Sequence, residues 1–217
     1  MAKPPVVEPK DIDIAAQIAR GEGSQGVRNA ALLYVLFGTA MTPGEISKLT
    51  VDDYLRANGT IRKQHLVRAE ISYNGYERPL RWSNAKVVAA MDDYVTWRLD
   101  NKVGLGTEGR FRGLDPHSAL FQNGRSPGGF RATSYMKDGV RRESAMVLSA
   151  LFKKLLKQAG VEGSALSGRR TFAVLLARQG KDPALVREVM GLRNISEARE
   201  IMRTDPVRMA DIVAKVF

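Results

Sequence analysis

The alternation of apolar and polar positions divides the chain into helical stretches around one short region of strand pattern. Asp11 to Arg20 has helical periodicity, and Val27 to Gly38 is so nearly all apolar that it predicts the buried centre of a helical layer. Thr42-Pro43-Gly44-Glu45 then places a Thr cap, a Pro at the first helical position and a Glu three residues on, a capping box opening a helix over Glu45 to Leu49. Thr60 to Arg62, Val67 to Tyr73 and Tyr76 to Trp82 read as strands, with Asn74-Gly75 as a type I′ hairpin turn between the last two. Ala85 to Leu99 is amphipathic, with Val87, Val88, Met91, Tyr94, Val95 and Leu99 along one face. Asp100 to Gly139 is rich in Gly, Ser, Asn and Arg and carries only the apolar patch Ala119-Leu120-Phe121, so it reads as a long loop or arm. Helices resume at Arg142 to Gln158, Gly168 to Gln179, Pro183 to Met190, Ile195 to Met202 and Pro206 to Val216, punctuated by Gly180, Gly191 and Pro206. The pattern predicts a mainly α protein with a small antiparallel three-stranded sheet, an α+β fold. It is read as one domain over residues 11–217 behind a flexible segment, residues 1–10.

Composition narrows the function. The 217 residues contain no cysteine and only His65 and His117, so a disulfide framework, a thiolate metal site and metal catalysis are not expected, and no cofactor is implied. The longest apolar run, Ala30 to Met41, is interrupted by Gly38 and Thr39 and is too short to cross a bilayer, which points away from a membrane and to the cytoplasm. Lys and Arg outnumber Asp and Glu 34 to 23, giving a formal net charge of +11. A protein so basic faces a polyanion or carries a solvated basic surface. Arginine favours the polyanion: Arg110, Arg112, Arg125, Arg131, Arg141 and Arg142 lie in the Gly-rich middle, and Arg169, Arg170, Arg178, Arg187, Arg193, Arg199 and Arg203 in the last third. The planar guanidinium fork suits phosphate.

Two segments carry a resemblance to a known family. RNAALLYVLFGTAMTPGEISKLTVDDY (Arg28 to Tyr54) has the apolar rhythm of the segment RDxALLxLLxxTGLRxSELxxLxWxDI of the tyrosine recombinases, or phage integrases, and keeps its glutamate as Glu45. LSGRRTFAVLLARQGKDPALVREVMGLRNISEAREI (Leu166 to Ile201) resembles the family's HxLRHTFAxxLxxxGxxxxxVxxxLGHxxIxxTxxY. Both occur in the family's order, so the resemblance implies the catalytic-domain fold of that family. The family's separate N-terminal DNA-clamping domain is expected to be missing.

Family chemistry uses an arginine pair and histidines on the scissile phosphate, a hairpin lysine as general acid, and a tyrosine nucleophile that forms a 3′-phosphotyrosine. Laid on this sequence, the first arginine falls on Thr42, the lysine near Tyr73, the first histidine on Leu166 and the second arginine on Arg169. The second histidine falls on Leu192 and the tyrosine on Ile201. Only Arg169 survives, and the last tyrosine in the chain is Tyr135. The resemblance therefore implies a catalytically silent relative that binds double-stranded DNA, as a regulator, accessory or maintenance factor of a mobile element. Competing readings are an active breaking-and-joining enzyme with another nucleophile, and a module that joins a second copy or an active recombinase through residues 211–217.

Thr42 reads as a helix cap, and Leu166, Leu192 and Ile201 as apolar side chains filling the former pocket. Arg169 is either a phosphate ligand or a structural partner of Glu45. Tyr73 either stacks on a sugar or base or packs across the hairpin on Tyr76 or Arg78. Arg169, Arg170, Arg142, Lys153, Lys154 and Arg193 are the expected phosphate contacts.

Overall fold

A computed structural model describes residues 3–124, 128–137 and 140–203 of the chain. Among them, helices α1 (Pro9–Arg20), α2 (Gly26–Gly38) and α3 (Pro43–Lys48) precede the paired strands β1 (Gln64–Val67) and β2 (Arg78–Arg81), and α4 (Ala85–Asp100) follows. A second hairpin, β3 (Thr133–Lys137) and β4 (Val140–Ser144), leads into α5 (Met146–Gln158), α6 (Ala165–Arg178), α7 (Pro183–Met190) and α8 (Ile195–Met202).

Helix α2 is the hub, as its apolar sequence requires: Ala31, Leu32, Leu33, Val35 and Leu36 are fully buried, and α1, α4 and α6 all pack on it. The α2–α6 crossing is tight enough to need a glycine. A Cβ on Gly168 would lie 2.7 Å from Leu36 Cγ and 2.9 Å from the Leu36 carbonyl oxygen. Gly168→Ala is expected to destabilise the fold by about 2 kcal/mol, because a well-packed backbone contact has nowhere to move. A urea-denaturation midpoint unchanged from the parent protein would refute this close approach.

The fold class matches the sequence expectation, mainly helical with a small antiparallel sheet, but the strands are distributed differently. Gln64 pairs with Arg81 and Val67 with Arg78, so residues 68–77 lie outside the ladder and Asn74-Gly75 is not a two-residue hairpin loop. Side chains draw that segment away from pairing. The Tyr73 amide donates to Glu45 Oε1 (3.3 Å), and Arg68 binds Asp53 through Nη2 (3.1 Å). The expected strand Thr60 to Arg62 supplies only a bridge between Ile61 and Leu55. Residues expected to form one three-stranded sheet thus give one two-stranded ladder, and the other ladder comes from β3 and β4. Arg142 accordingly lies on β4, not on the helix expected from Arg142, which begins at Met146.

Two further expectations are corrected. Residues 3–10 are not a loose leader: Val7 is 2% exposed, its amide donates to Thr171 Oγ1 (3.0 Å), and Glu8 pairs with Arg178 (2.7 Å). The long segment after Asp100 is tied down in its described part. Buried Arg98 donates to the carbonyls of Val103, Ala119 and Leu120, while Leu105 bridges Leu114 and Thr50 bridges Ala119. Phe121 stacks on Tyr94 at 5.4 Å. The expected helix Pro206 to Val216 and the segment 211–217 lie outside the described residues. No described helix is long and apolar enough to cross a membrane.

Candidate phosphate site

Thr42 and Glu45 from the first segment and Arg169, Met190 and Gly191 from the second meet at one place, together with Tyr73. Thr42 caps α3: its hydroxyl accepts from the Glu45 amide (3.2 Å), and the Glu45 carboxylate accepts from the Thr42 amide (2.7 Å). The capping box is complete, so Thr42 has the role its sequence context indicates. Glu45 is fully buried, and its Oε2 also accepts from the Thr42 hydroxyl (3.1 Å) and from Arg78 Nη2 (3.1 Å). Arg78, not Arg169, is therefore the ion-pair partner of Glu45, itself nearly inaccessible.

Arg169 reaches this cluster from α6. Nη1 donates to the Ala40 carbonyl (2.9 Å) and Nη2 to the Met190 carbonyl (3.3 Å), in the last turn of α7, where a cation is favoured by the helix dipole. Its guanidinium lies over the Tyr73 ring, 4.4 Å from the centroid, the geometry of a cation–π contact. Burial lowers the Arg169 pKa, Tyr73 and Glu45 oppose that shift, and nearby Arg78 adds to it. Ala40, whose carbonyl receives Arg169, sits at φ +55°. That left-handed conformation costs an alanine of order 1 kcal/mol.

The turn carrying Tyr73 is docked on α7. Asn74 Nδ2 donates to the Gly191 carbonyl (2.9 Å), and the Tyr73 hydroxyl points at the same oxygen at 3.5 Å. Gly191 ends α7 in the left-handed region, φ +61°, and a Cβ there would lie 2.5 Å from Arg78 Cδ. Tyr73 thus neither belongs to a strand nor packs across a hairpin; it covers Arg169 while remaining 45% exposed.

The other expected site residues separate into groups. Leu192 and Ile201 are partly buried against the small cluster of Ala40, Ala173, Val186, Met190 and Ala198. Leu166 is not buried: it is 72% exposed on the first turn of α6. Arg170 is buried and donates to the Pro4 carbonyl, which turns it away from the Arg169 side of α6. Lys153 and Lys154 are exposed on α5, opposite its buried Leu148, Phe152 and Leu155, and Arg193 is exposed between α7 and α8. Arg170 is therefore not part of the cluster around Arg169, and the Arg142 side chain lies outside the described residues. His65 is held by Asp53 (3.1 Å), and no group of His, Asp and Glu fit to hold a metal occurs among the described residues.

Sequence reasoning did not single out Arg78. Its signal was present, since period-two alternation puts Arg78 on the same side of the strand as Leu80 and Trp82, both buried. An inward-facing arginine beside an inward-facing glutamate is the pattern of a buried pair.

No protein-family model matches the sequence, and no curated protein sequence matches it. Solved structures do. The chain has the fold of the tyrosine-recombinase catalytic domain. It is similar to XerA recombinase, with a TM-score of 0.68 and 16% identity over 99% of this chain and 64% of that one. XerH site-specific recombinase, solved bound to its palindromic difH substrate, gives a TM-score of 0.64 and 16% identity over 99% of this chain and 53% of that one. The integrase of mycobacterium phage Brujita gives 0.55 and 18% over 95% and 60%. The chain thus spans between about half and two thirds of the length of these proteins.

Proposed function

We propose that this protein binds double-stranded DNA through its recombinase fold and does not break it, acting as a regulator, accessory or maintenance factor of a mobile genetic element. The observation that supports this reading is the position of Arg169, which matches the family's second phosphate-holding arginine, against Tyr73 and the end of α7. By the resemblance to the family segments the means of cleavage are replaced: a helix cap stands at the first arginine position, apolar side chains at the histidine positions, and Ile201 at the nucleophile position. Positioning a phosphate needs donors alone, whereas phosphoryl transfer also needs a nucleophile and a general acid. The net charge of +11 and the exposed Lys153, Lys154 and Arg193 supply the attraction to a polyanion. XerH, solved on its DNA substrate, binds DNA with this fold.

The test is binding of random-sequence duplex DNA across a salt series, with Lys153→Ala/Lys154→Ala alongside. The parent protein is expected to lose affinity steeply with salt, and the double variant to flatten the log–log slope by about 2, roughly one unit per lost phosphate contact. No binding at low salt would overturn the reading. A nicked duplex incubated with the protein is expected to give no covalent adduct on denaturing gels, and an adduct would identify an active enzyme.

A further inference from the structure

Arg78 is buried beside the candidate site with only part of its hydrogen-bonding capacity used. Nη2 is spent on Glu45, while Nε and Nη1 are buried and have no hydrogen-bond partner among the described residues. Buried guanidinium N–H groups are ordinarily satisfied, and leaving two without acceptors is costly. Arg78 also stands where a donor is missing. Its Nη2 and the Thr42 hydroxyl share Glu45 Oε2, each at 3.1 Å, so its guanidinium adjoins the position whose arginine the α3 N-terminus lacks. Arg169 and Arg78 straddle the end of α7, one bonded to the Met190 carbonyl and the other with its stem under Gly191. Among the described residues Glu45 is ion-paired with Arg78, whereas Arg169 has Glu45 and Glu197 near enough to act on its charge but neither within ion-pair distance.

Resting on the DNA-binding reading, we propose that Arg78, supplied from strand β2, is the second guanidinium of an oxyanion site shared with Arg169, that the ligand is a phosphate group, and that the Tyr73–Asn74 turn is its cover. In the closed arrangement Tyr73 shields Arg169, and Asn74 holds the turn on the Gly191 carbonyl. When the turn lifts, Arg169 is uncovered and contributes its charge, and Arg78 contributes its two unused donors, Nε and Nη1, as separate charge-assisted hydrogen bonds to phosphate oxygens. The site is thus a pair of arginines from α6 and β2 in place of a pair from α3 and α6.

The test follows the Nε–H resonances of Arg78 and Arg169 in nitrogen-15-labelled protein while inorganic phosphate is added, with duplex DNA binding measured in parallel by fluorescence anisotropy. Phosphate is expected to shift both resonances. Tyr73→Ala should tighten phosphate binding about tenfold by removing the cover. Adding Arg78→Lys, which keeps a cation on Glu45 but removes the two unused donors, should cancel that gain. The inference is overturned if phosphate moves Arg169 alone, or if folded Arg78→Lys binds phosphate and duplex as the parent does; duplex binding with this pattern leaves the DNA reading standing. Phosphate shifting both resonances without duplex binding would support the site and overturn the DNA reading instead. The resonance of unmutated Arg78 decides the matter should Arg78→Lys fail to fold.

Discussion

Replacing the fully buried Arg98 by methionine is expected to remove about 4 kcal/mol of stability. Arg98 is fully buried near the end of α4, and burial lowers its pKa, with Tyr94 and Asp115 opposing the shift. It is held by neutral acceptors: Nε donates to the Val103 carbonyl (3.2 Å), Nη1 to those of Ala119 and Leu120 (3.1 Å each), and Nη2 to Ser118 Oγ (3.1 Å). The chain after α4 is wound round this side chain so closely that a Cβ on Gly104, at φ +67°, would lie 2.2 Å from Nη2. Methionine keeps much of the volume but leaves these acceptors in the interior without donors, each unsatisfied group costing about 1–3 kcal/mol. At roughly 2–4 °C per kcal/mol for a chain of this size, the melting temperature should fall by about 12 °C. Amide exchange over residues 103–122 should quicken before the helices open. A loss below about 1 kcal/mol in urea denaturation would mean that the segment is organised by something other than Arg98.

Arg98 also marks where the sequence ceases to be legible. The helical layer could be read because its signals are local and periodic: the apolar run of α2, the capping box at Thr42, and the αL glycine closing α7. The segment after Asp100 has Gly-rich, polar composition, which reads as loop, yet its order comes largely from groups outside it: Arg98 on the preceding helix, Arg28 on α2, which donates to the Gln122 and Asn123 carbonyls, and a bridge from Ala119 to Thr50. Most of these partners are more than 20 residues apart in sequence. The strand error has the same origin: Asn74-Gly75 is a strong local hairpin signal, but Glu45 and Gly191, both remote in sequence, take the amide of Tyr73 and the side chain of Asn74. At the site, alignment to two family segments was enough to bring Thr42, Tyr73, Arg169 and the Met190–Leu192 region together. It could not tell that Arg170, next to Arg169, faces Pro4, or that Leu166 points to solvent, because neighbouring residues on a helix diverge by about 100°.

Glu45→Ala is expected to be the most damaging single change at the site, at about 5 kcal/mol. The carboxylate joins three elements: it caps α3 through the Thr42 amide, anchors the turn through the Tyr73 amide, and neutralises Arg78 on β2. Loss of the reciprocal cap accounts for about 1 kcal/mol. The larger share comes from stranding a nearly inaccessible guanidinium, since removing one partner of a buried pair costs about 3–5 kcal/mol. The same reasoning predicts a rescue. Glu45→Gln/Arg78→Met retains an acceptor for the Thr42 and Tyr73 amides and removes the buried charge, so it should return to within about 2 kcal/mol of the parent protein. A coupling energy above about 2 kcal/mol in the double-mutant cycle, read from urea midpoints, is therefore the expected result, and additive losses would show that the pair is not coupled. The rescued protein then separates stability from binding: it keeps the capped α3 and the covered Arg169 but has no second guanidinium. If Arg78 contributes only to the fold, the double variant should bind phosphate as well as the parent does. If Arg78 is half of the oxyanion site, it should be folded and weak.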